Sequence, residues 1–264
     1  MRFLTVAGVT LHYTLEGEGD GLPLVFINSL GTDLRIWDAV LPQLPAQHPV
    51  VRHDKRGHGL SDCPPGPYRI GDHSEDVARL LAHLGIEEAI VIGISVGGVI
   101  ALDFAIAHPD VVRGLILCDT APRIGTMDFW EQRVRMIREK GLPQMAESIL
   151  ERWFAPQFAE EQPAAYRGYQ NMLARMPDEG YAATSLALGE ADLRDAVHTI
   201  EAPALVLCGA EDQATPPDVG RELAESLPNA RFEVIDGAAH LPCIERPQAT
   251  AEKINQFLKE NGYG

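Results

Sequence analysis

The residues best suited to chemistry surround a single serine. Ser95 stands between Gly93 and Gly97 in the stretch Gly-Ile-Ser-Val-Gly, after the apolar run 89–92 and before a helical pattern over 99–107. A turn of this kind between a strand and a helix lifts the serine hydroxyl out of the backbone, at a helix N-terminus where developing negative charge is favoured. The pattern predicts a nucleophilic Ser95; the competing interpretation is a glycine-rich turn with an incidental serine.

A serine nucleophile needs a base, and the base needs a carboxylate that orients it. Two loops downstream of Ser95 supply both groups, because Asp212 follows the apolar run 204–208 and His240 follows the run 232–235. In parallel strands these loops fall at the same edge of the sheet as the serine turn. The chain order serine, aspartate, histidine therefore predicts a catalytic triad.

The acid of this triad has an alternative. Asp119 follows the apolar run that ends at Cys118, so it also lies at the carboxyl end of a predicted strand. We favour Asp212 because, of the two, only this residue follows the strand that adjoins the His240 loop. The competing interpretations are a solvated turn acid for Asp212 and a structural loop imidazole for His240. The remaining histidines show no metal-ligand spacing, and we expect no metal.

An acyl-transfer site also needs two main-chain N–H groups that bind the oxyanion. The residue directly after the nucleophile, Val96, is one expected donor. The other is Leu30, in the loop 28–32 that follows the apolar run 23–27. Taken alone, that loop also reads as an ordinary turn. A serine, histidine and aspartate mechanism uses neither a metal nor an organic cofactor, so we expect none.

The elements that must position these residues read as an α/β protein. Short apolar runs alternate with amphipathic segments, which is typical of a mostly parallel sheet with helices on both faces. An apolar face repeats in helical spacing over 34–44. The segment 123–196 contains helical patterns and no convincing strand, which predicts a helical cap over a core made of 1–122 and 197–264.

Composition limits the classes of partner. The 264 residues include 45% hydrophobic and 23% charged side chains, with a net charge of −16. Such a charge repels phosphate backbones and anionic lipid surfaces, so we expect neither nucleic acid nor a membrane as partner. We see no secretory signal, and we expect a cytoplasmic protein with reduced thiols. Its cysteines lack CxxC spacing: Cys63, Cys118, Cys208 and Cys243.

Several stretches resemble α/β-hydrolases of the 3-oxoadipate enol-lactonase type. The similarity runs through nearly the whole chain. The stretches most specific to this type of hydrolase are 28–33 and the segment 122–126 with Trp130 and Arg133. Two departures are the pair 55–56, where the family more often has one basic residue, and the residues that flank Ser95. The stretches that carry the resemblance are 28–38, 54–61, 66–68, 93–98 and 214–217.

The resemblance implies a fold, an activity and a set of site residues. It implies the α/β-hydrolase fold with a helical cap, hydrolysis of 3-oxoadipate enol-lactone in aromatic catabolism through the β-ketoadipate pathway, and a lactone substrate that carries a carboxylate. The triad would be Ser95, Asp212 and His240, with the Leu30 and Val96 amides as oxyanion donors. A homo-oligomer is left open.

The substrate carboxylate calls for a cation in the site. Arg133 lies three residues after Trp130 and four before Ile137, so it can share a helix face with both and point under the cap. Trp130 and Arg133 are the expected substrate-binding residues. Arg133 competes with the interpretation that it is solvated, as arginines usually are, and with three other arginines of the cap: Arg123, Arg135 and Arg138.

Other functions fit the same residues. A general carboxylesterase or lactonase, a cofactor-free perhydrolase and a hydrolase of C–C bonds all use a serine triad. A ligand receptor derived from this fold is the alternative outside enzymes. Rapid multiple turnover would favour the enzyme, and slow single turnover with retained product would favour the receptor.

Overall fold

A computed structural model describes residues 1–264. Its centre is an eight-stranded sheet with the spatial order β1-β2-β4-β3-β5-β6-β7-β8. Strand β2 pairs antiparallel with β1 and β4, and all other neighbours are parallel. The strands are β1 (Arg2–Val6), β2 (Val9–Glu16), β3 (Leu24–Ile27), β4 (Val50–His53), β5 (Ala89–Ile94), β6 (Val112–Cys118), β7 (Ala204–Gly209) and β8 (Ala230–Ile235).

Helices cover the sheet. The central strands β3 and β5 are buried along their whole length, which explains why they read as continuous apolar runs rather than as alternating patterns. The helices outside the segment 123–196 are α1 (Ile70–Leu84), α2 (Val96–Ala107), α8 (Pro217–Ser226), α9 (Pro242–Glu245) and α10 (Pro247–Glu260). The predicted mostly parallel α/β architecture is confirmed.

Five helices and no strand lie between β6 and β7. They share one hydrophobic core with the sheet, because Ile149 and Leu173 belong to the same cluster as Ile92 of β5. No helix of the structure combines the length and the apolar character needed to cross a bilayer. The five helices are α3 (Met127–Lys140), α4 (Leu142–Trp153), α5 (Pro156–Glu161), α6 (Pro163–Ala174) and α7 (Asp178–Glu190).

The helical periodicity over 34–44 forms two short 3-10 helices, Leu34–Trp37 and Leu41–Gln43, and no α-helix. Proline explains the difference. Pro42 has no N–H to donate to the preceding turn, and Pro45 favours an extended backbone at the residue before it. The apolar face still packs inward, since Leu34 and Trp37 are buried.

Candidate active site

The backbone at Ser95 is strained. Ser95 joins β5 to α2 with φ of 57° and ψ of −121°, a region that non-glycine residues seldom occupy. Close packing on both sides requires glycine: a Cβ on Gly97 would lie 2.2 Å from Ile27 O, and one on Gly93 would lie 2.2 Å from Gly97 O. The Ser95 N–H donates to Cys118 O at 2.9 Å. The serine hydroxyl is thereby held at the carboxyl edge of the sheet.

His240 and Asp212 meet at the same edge. Both are buried, and His240 Nδ1 lies 2.9 Å from Asp212 Oδ2. An ionised carboxylate only accepts hydrogen bonds, so Nδ1 carries the proton and Nε2 is left as the basic nitrogen. Asp212 also accepts from Thr215 Oγ1 and Ala214 N, each at 2.7 Å. These contacts fix the orientation of the carboxylate and, through it, of the ring.

The pKa values of the two candidate acids shift in opposite directions. Burial opposes ionisation of Asp212, but the charge of His240, its ring hydrogen bond and the donors on the 214–215 turn together hold the pKa of Asp212 below its usual value. Burial, followed by repulsion from Asp212, raises the pKa of Asp119 well above its usual value. The protonated form of Asp119 is thereby favoured. Asp119 accepts from Gly209 N at 2.8 Å and forms no hydrogen bond with His240.

Asp119 and Asp212 also lie with Cys208 in a cluster whose potential ligand atoms are within 4.8 Å of one another. A metal ion would need these groups deprotonated. Burial, and then the nearby carboxylates, raises the pKa of the Cys208 thiol, and the thiol donates to Thr215 O at 3.3 Å. Raised pKa values at Asp119 and Cys208 favour their protonated forms, so the cluster suits hydrogen bonding better than cation binding.

Ser95 and His240 line one cavity of about 210 Å³. The side-chain hydrogen bond of His240 is with Asp212, and Ser95 Oγ and His240 Nε2 form no hydrogen bond with each other. Such contacts are often long before substrate binds. The volume is below the range of about 300–1,000 Å³ that is usual for sites of drug-sized ligands. The cavity therefore suits a small molecule.

The two expected oxyanion donors lie beside the serine. Val96 is the first residue of α2, where N–H groups lack an intrahelical partner. Leu30 lines the cavity, and its N–H donates to no acceptor of the chain, although the next two N–H groups are paired, that of Gly31 with His58 Nε2 and that of Thr32 with Ser29 O. Leu30 therefore lies on the same cavity as Ser95 and has a free N–H group.

The helices between β6 and β7 supply the opposite wall. Trp130 and Arg133 of α3 both line the cavity. The Trp130 indole N–H already donates to Ile124 O at 2.6 Å, so Trp130 offers the cavity its ring and not a donor. Arg133 Nε is buried without a hydrogen-bond partner. A buried N–H group without a partner is costly unless a ligand completes it.

The other arginines considered for this role lie elsewhere. Arg123 pairs with Asp192, Arg135 with Glu131 and Arg138 with Glu179, and none of these arginines lines the cavity. The sequence analysis missed a second lining arginine, Arg152, near the end of α4. Helical spacing does not single it out, because Arg138, which pairs with Glu179, likewise has no carboxylate three or four residues away along its helix.

A buried glutamate connects α4 to the histidine loop. Glu245 accepts from Ala155 N and from Ala239 N, each at 2.8 Å. In addition, His240 N donates to Trp153 O at 3.1 Å. Three hydrogen bonds to main-chain groups therefore tie the end of α4 to the loop that carries the ring. We call this set the α4 strap.

Replacing Glu245 with glutamine should change how stability depends on pH. Burial raises the pKa of Glu245 from its usual 4.5 to about 7, against the two main-chain donors. Between these values the folded state binds a proton that the unfolded state does not, so stability decreases as pH rises. At 1.36 kcal/mol per pKa unit this amounts to about 3 kcal/mol. Urea unfolding from pH 4.5 to 7 should show a smaller decrease for Glu245→Gln than for wild type.

Glu252→Gln is the matched control, because Glu252 lies exposed on α10. This variant should keep the wild-type pH dependence. Identical slopes for wild type and Glu245→Gln would contradict the assignment of that decrease to Glu245.

Comparison with known proteins places the chain in a family. A family model described as alpha/beta hydrolase fold matches residues 23–247. The chain is 38% identical over 256 residues to 3-oxoadipate enol-lactonase 2 of Acinetobacter baylyi, covering 97% of this chain and 96% of that one. It is 33% identical over 252 residues to 3-oxoadipate enol-lactonase 1 of the same organism, covering 96% and 94%.

Solved structures agree. The enol-lactonase from Burkholderia xenovorans LB400 superposes with a TM-score of 0.95 at 36% identity, over 98% of this chain and 100% of that one. A thermophilic esterase from Thermogutta terrifontis superposes with a TM-score of 0.92 at 28% identity, over 99% of each chain. The resemblance seen in the sequence is confirmed: the chain belongs to the α/β-hydrolase family, with 3-oxoadipate enol-lactonases among its relatives.

Proposed function

We propose that this hydrolase opens 3-oxoadipate enol-lactone, as its relatives' names state for them. One observation carries the proposal for this chain: a small cavity holds Ser95 and His240 together with two arginines, Arg133 and Arg152, that have no carboxylate partner. The protein as a whole has a charge of −16 and repels anions. Local unpaired cations beside a nucleophile favour a substrate that brings its own carboxylate.

The proposed reaction begins at Ser95. His240 Nε2 removes the hydroxyl proton as Ser95 Oγ attacks the lactone carbonyl, and Asp212 stabilises the imidazolium that forms. The oxyanion of the tetrahedral intermediate lies between the N–H groups of Leu30 and Val96. When the intermediate collapses, the ring C–O bond breaks and the enolate leaves. The enolate takes up the proton that His240 removed from Ser95 and becomes a ketone, which makes it a good leaving group and returns His240 to its basic form.

Water completes the reaction. His240 removes a proton from water as its oxygen attacks the acyl group on Ser95, and the second tetrahedral intermediate collapses to a carboxylate and the free serine. The product is a keto acid with two carboxylates, which fits a step of aromatic catabolism in the β-ketoadipate pathway. Every proton and electron pair moves between this chain's side chains, water and substrate, and no cofactor takes part.

We also propose a division of labour between two parts of the chain. Residues 123–196 act as a helical cap on the core formed by 1–122 and 197–264. This is supported by the mixed lining of the cavity, where Trp130 and Arg133 come from the cap and Ser95 and His240 from the core. All four cysteines are free, which favours a reducing compartment, and we place the reaction in the cytoplasm.

Arg133→Ala tests the carboxylate contact. A charge-assisted hydrogen bond contributes about 1.5–3 kcal/mol, so KM for the enol-lactone should rise about 10- to 100-fold. KM for a neutral ester such as p-nitrophenyl acetate should change by less than about threefold, because a neutral ester makes no such contact. Steady-state kinetics with both substrates checks the prediction.

Arg135→Ala is the matched control, since Arg135 lies on the same helix, is paired with Glu131 at 3.7 Å and does not line the cavity. This variant should leave both KM values unchanged. Equal increases for the lactone and the neutral ester in Arg133→Ala would remove Arg133 from the substrate site. A wild-type enzyme that hydrolyses the ester and not the lactone would indicate a general carboxylesterase.

A further inference from the structure

Beneath the loop that carries Leu30 lies a buried lysine whose charge has no ion pair. Lys55 follows β4 and is 1% exposed. Its Nζ donates at 3.0 Å to Asn28 O and at 3.0 Å to Ser29 O. Burying an ammonium group is costly. Here the buried ammonium group donates to two consecutive carbonyls of one loop and pairs with no carboxylate.

The second of these carbonyls belongs to the peptide unit that matters most for the proposed chemistry. The Ser29 C=O and the Leu30 N–H are the two ends of one planar trans peptide, so they point in opposite directions. Ser29 O also accepts from Thr32 Oγ1 at 2.9 Å and from Thr32 N at 3.3 Å. With Lys55 on one end of this plane, the Leu30 N–H is directed away from the lysine and is left unpaired at the cavity.

The second oxyanion donor is held in the same way. The Ser95 C=O and the Val96 N–H form one peptide unit, and Ser95 O accepts from Thr120 Oγ1 at 2.7 Å. A donor on the carbonyl end polarises the peptide and strengthens its N–H as a donor. Both units thus have a side-chain donor on the carbonyl end, and at the Ser29–Leu30 unit that donor carries a full charge.

We propose that Lys55 is a positioning residue for the oxyanion hole: its ammonium group, anchored on the carbonyls of Asn28 and Ser29, orients and polarises the peptide whose Leu30 N–H binds the oxyanion. The inference rests on the proposed acyl transfer to Ser95. It assigns a role to the basic pair at 55–56, which departs from the family pattern.

The surroundings make this charge sensitive to pH. Burial lowers the pKa of Lys55 to about 7, against the attraction of two nearby carboxylates, Asp54 and Asp33. Burial, followed by the charge of Lys55, also lowers the pKa of three histidines around it, which are neutral at pH 7: His53, His58 and His73. Lys55 is therefore the group of this cluster that loses its charge as pH rises through neutrality.

Lys55→Met removes both hydrogen bonds at similar side-chain volume. Loss of one oxyanion donor costs about 100- to 1,000-fold in kcat, and a donor left in place but poorly oriented should cost about 10- to 100-fold. KM for p-nitrophenyl acetate should change by less than about threefold, because the ground-state carbonyl gains little from the hole. Phenylboronic acid forms a tetrahedral adduct with a serine, so its Ki should rise in proportion to the loss in kcat. Adipate forms no such adduct, so its Kd should stay unchanged.

Lys55→Arg is the second variant and tests the charge itself. A guanidinium keeps a cation and donors but does not lose its proton in this range. Wild-type kcat should fall on the alkaline side of about pH 7, and Lys55→Arg should lack this fall while keeping more activity than Lys55→Met. The comparison of wild type with Lys55→Arg remains decisive if Lys55→Met does not fold.

The outcomes separate the inference from the proposed function. A Lys55→Met enzyme with wild-type kcat, parallel losses in phenylboronic acid and adipate binding, or the same alkaline fall in wild type and Lys55→Arg would each overturn the role of Lys55. A wild-type protein whose Ser95 forms no covalent adduct with a fluorophosphonate would instead overturn the acyl-transfer mechanism.

Discussion

Ser95→Ala should lower kcat for lactone and ester hydrolysis by about four to six orders of magnitude. The alanine cannot form the acyl intermediate, so only the oxyanion donors and binding contacts remain to accelerate attack by water. KM should change little, because the side chain removed is small and the cavity walls stay in place. Steady-state kinetics at high enzyme concentration measures the residual rate.

A covalent readout makes this test independent of substrate. A fluorophosphonate should add its mass to wild-type protein at Ser95 and add none to Ser95→Ala. The matched control is Ser226→Ala, because Ser226 lies on α8 and its hydroxyl donates to Leu223 O at 2.7 Å. This control should keep wild-type kcat and labelling. Near-normal turnover by Ser95→Ala would show that the covalent route is wrong.

Asp212→Asn should lower kcat by about 10⁴-fold at pH 7. The asparagine amide donates where the carboxylate accepted, which favours the tautomer with the proton on His240 Nε2 and removes the basic nitrogen from the side of Ser95. The variant also loses the negative charge that stabilises the imidazolium. The measurement is steady-state kcat of wild type and Asp212→Asn at pH 7.

Asp119→Asn distinguishes the two candidate acids. Burial and repulsion from Asp212 raise the pKa of Asp119 and favour its neutral form, and asparagine preserves both the shape of the side chain and its contact with Gly209 N. We expect kcat to stay within about threefold of wild type. A large loss in Asp119→Asn combined with a small loss in Asp212→Asn would transfer the role of the acid to Asp119.

Much of this arrangement could be predicted from local pattern. A strand, a tight turn and a helix in succession place Ser95 at the carboxyl edge of the sheet. The runs that precede Asp212 and His240 form β7 and β8, and the loops after parallel strands meet at that edge. The signals lie within a few residues of each side chain, which is why the sequence is informative about them.

The remaining features depend on contacts between distant parts of the chain. Lys55 reaches Ser29 across 26 positions, and Glu245 reaches Ala155 across 90, so no periodicity reports either contact. The apolar residues over 34–44 have helical spacing and predict a helix, yet Pro42 and Pro45 limit this segment to 3-10 turns. The position of Arg152 at the cavity could not be predicted from the sequence, because it depends on how α4 packs.

The α4 strap has a consequence for how a substrate gets in. His240 N donates a hydrogen bond to Trp153 O, and Glu245 accepts from both Ala155 N and Ala239 N. An outward movement of the end of α4 would therefore break these hydrogen bonds or displace the His240 ring. We therefore expect this side of the cavity to stay fixed when substrate enters. Phe129 of α3 also lines the cavity and is 39% exposed, so entry beside this residue would leave the imidazole in place for proton transfer.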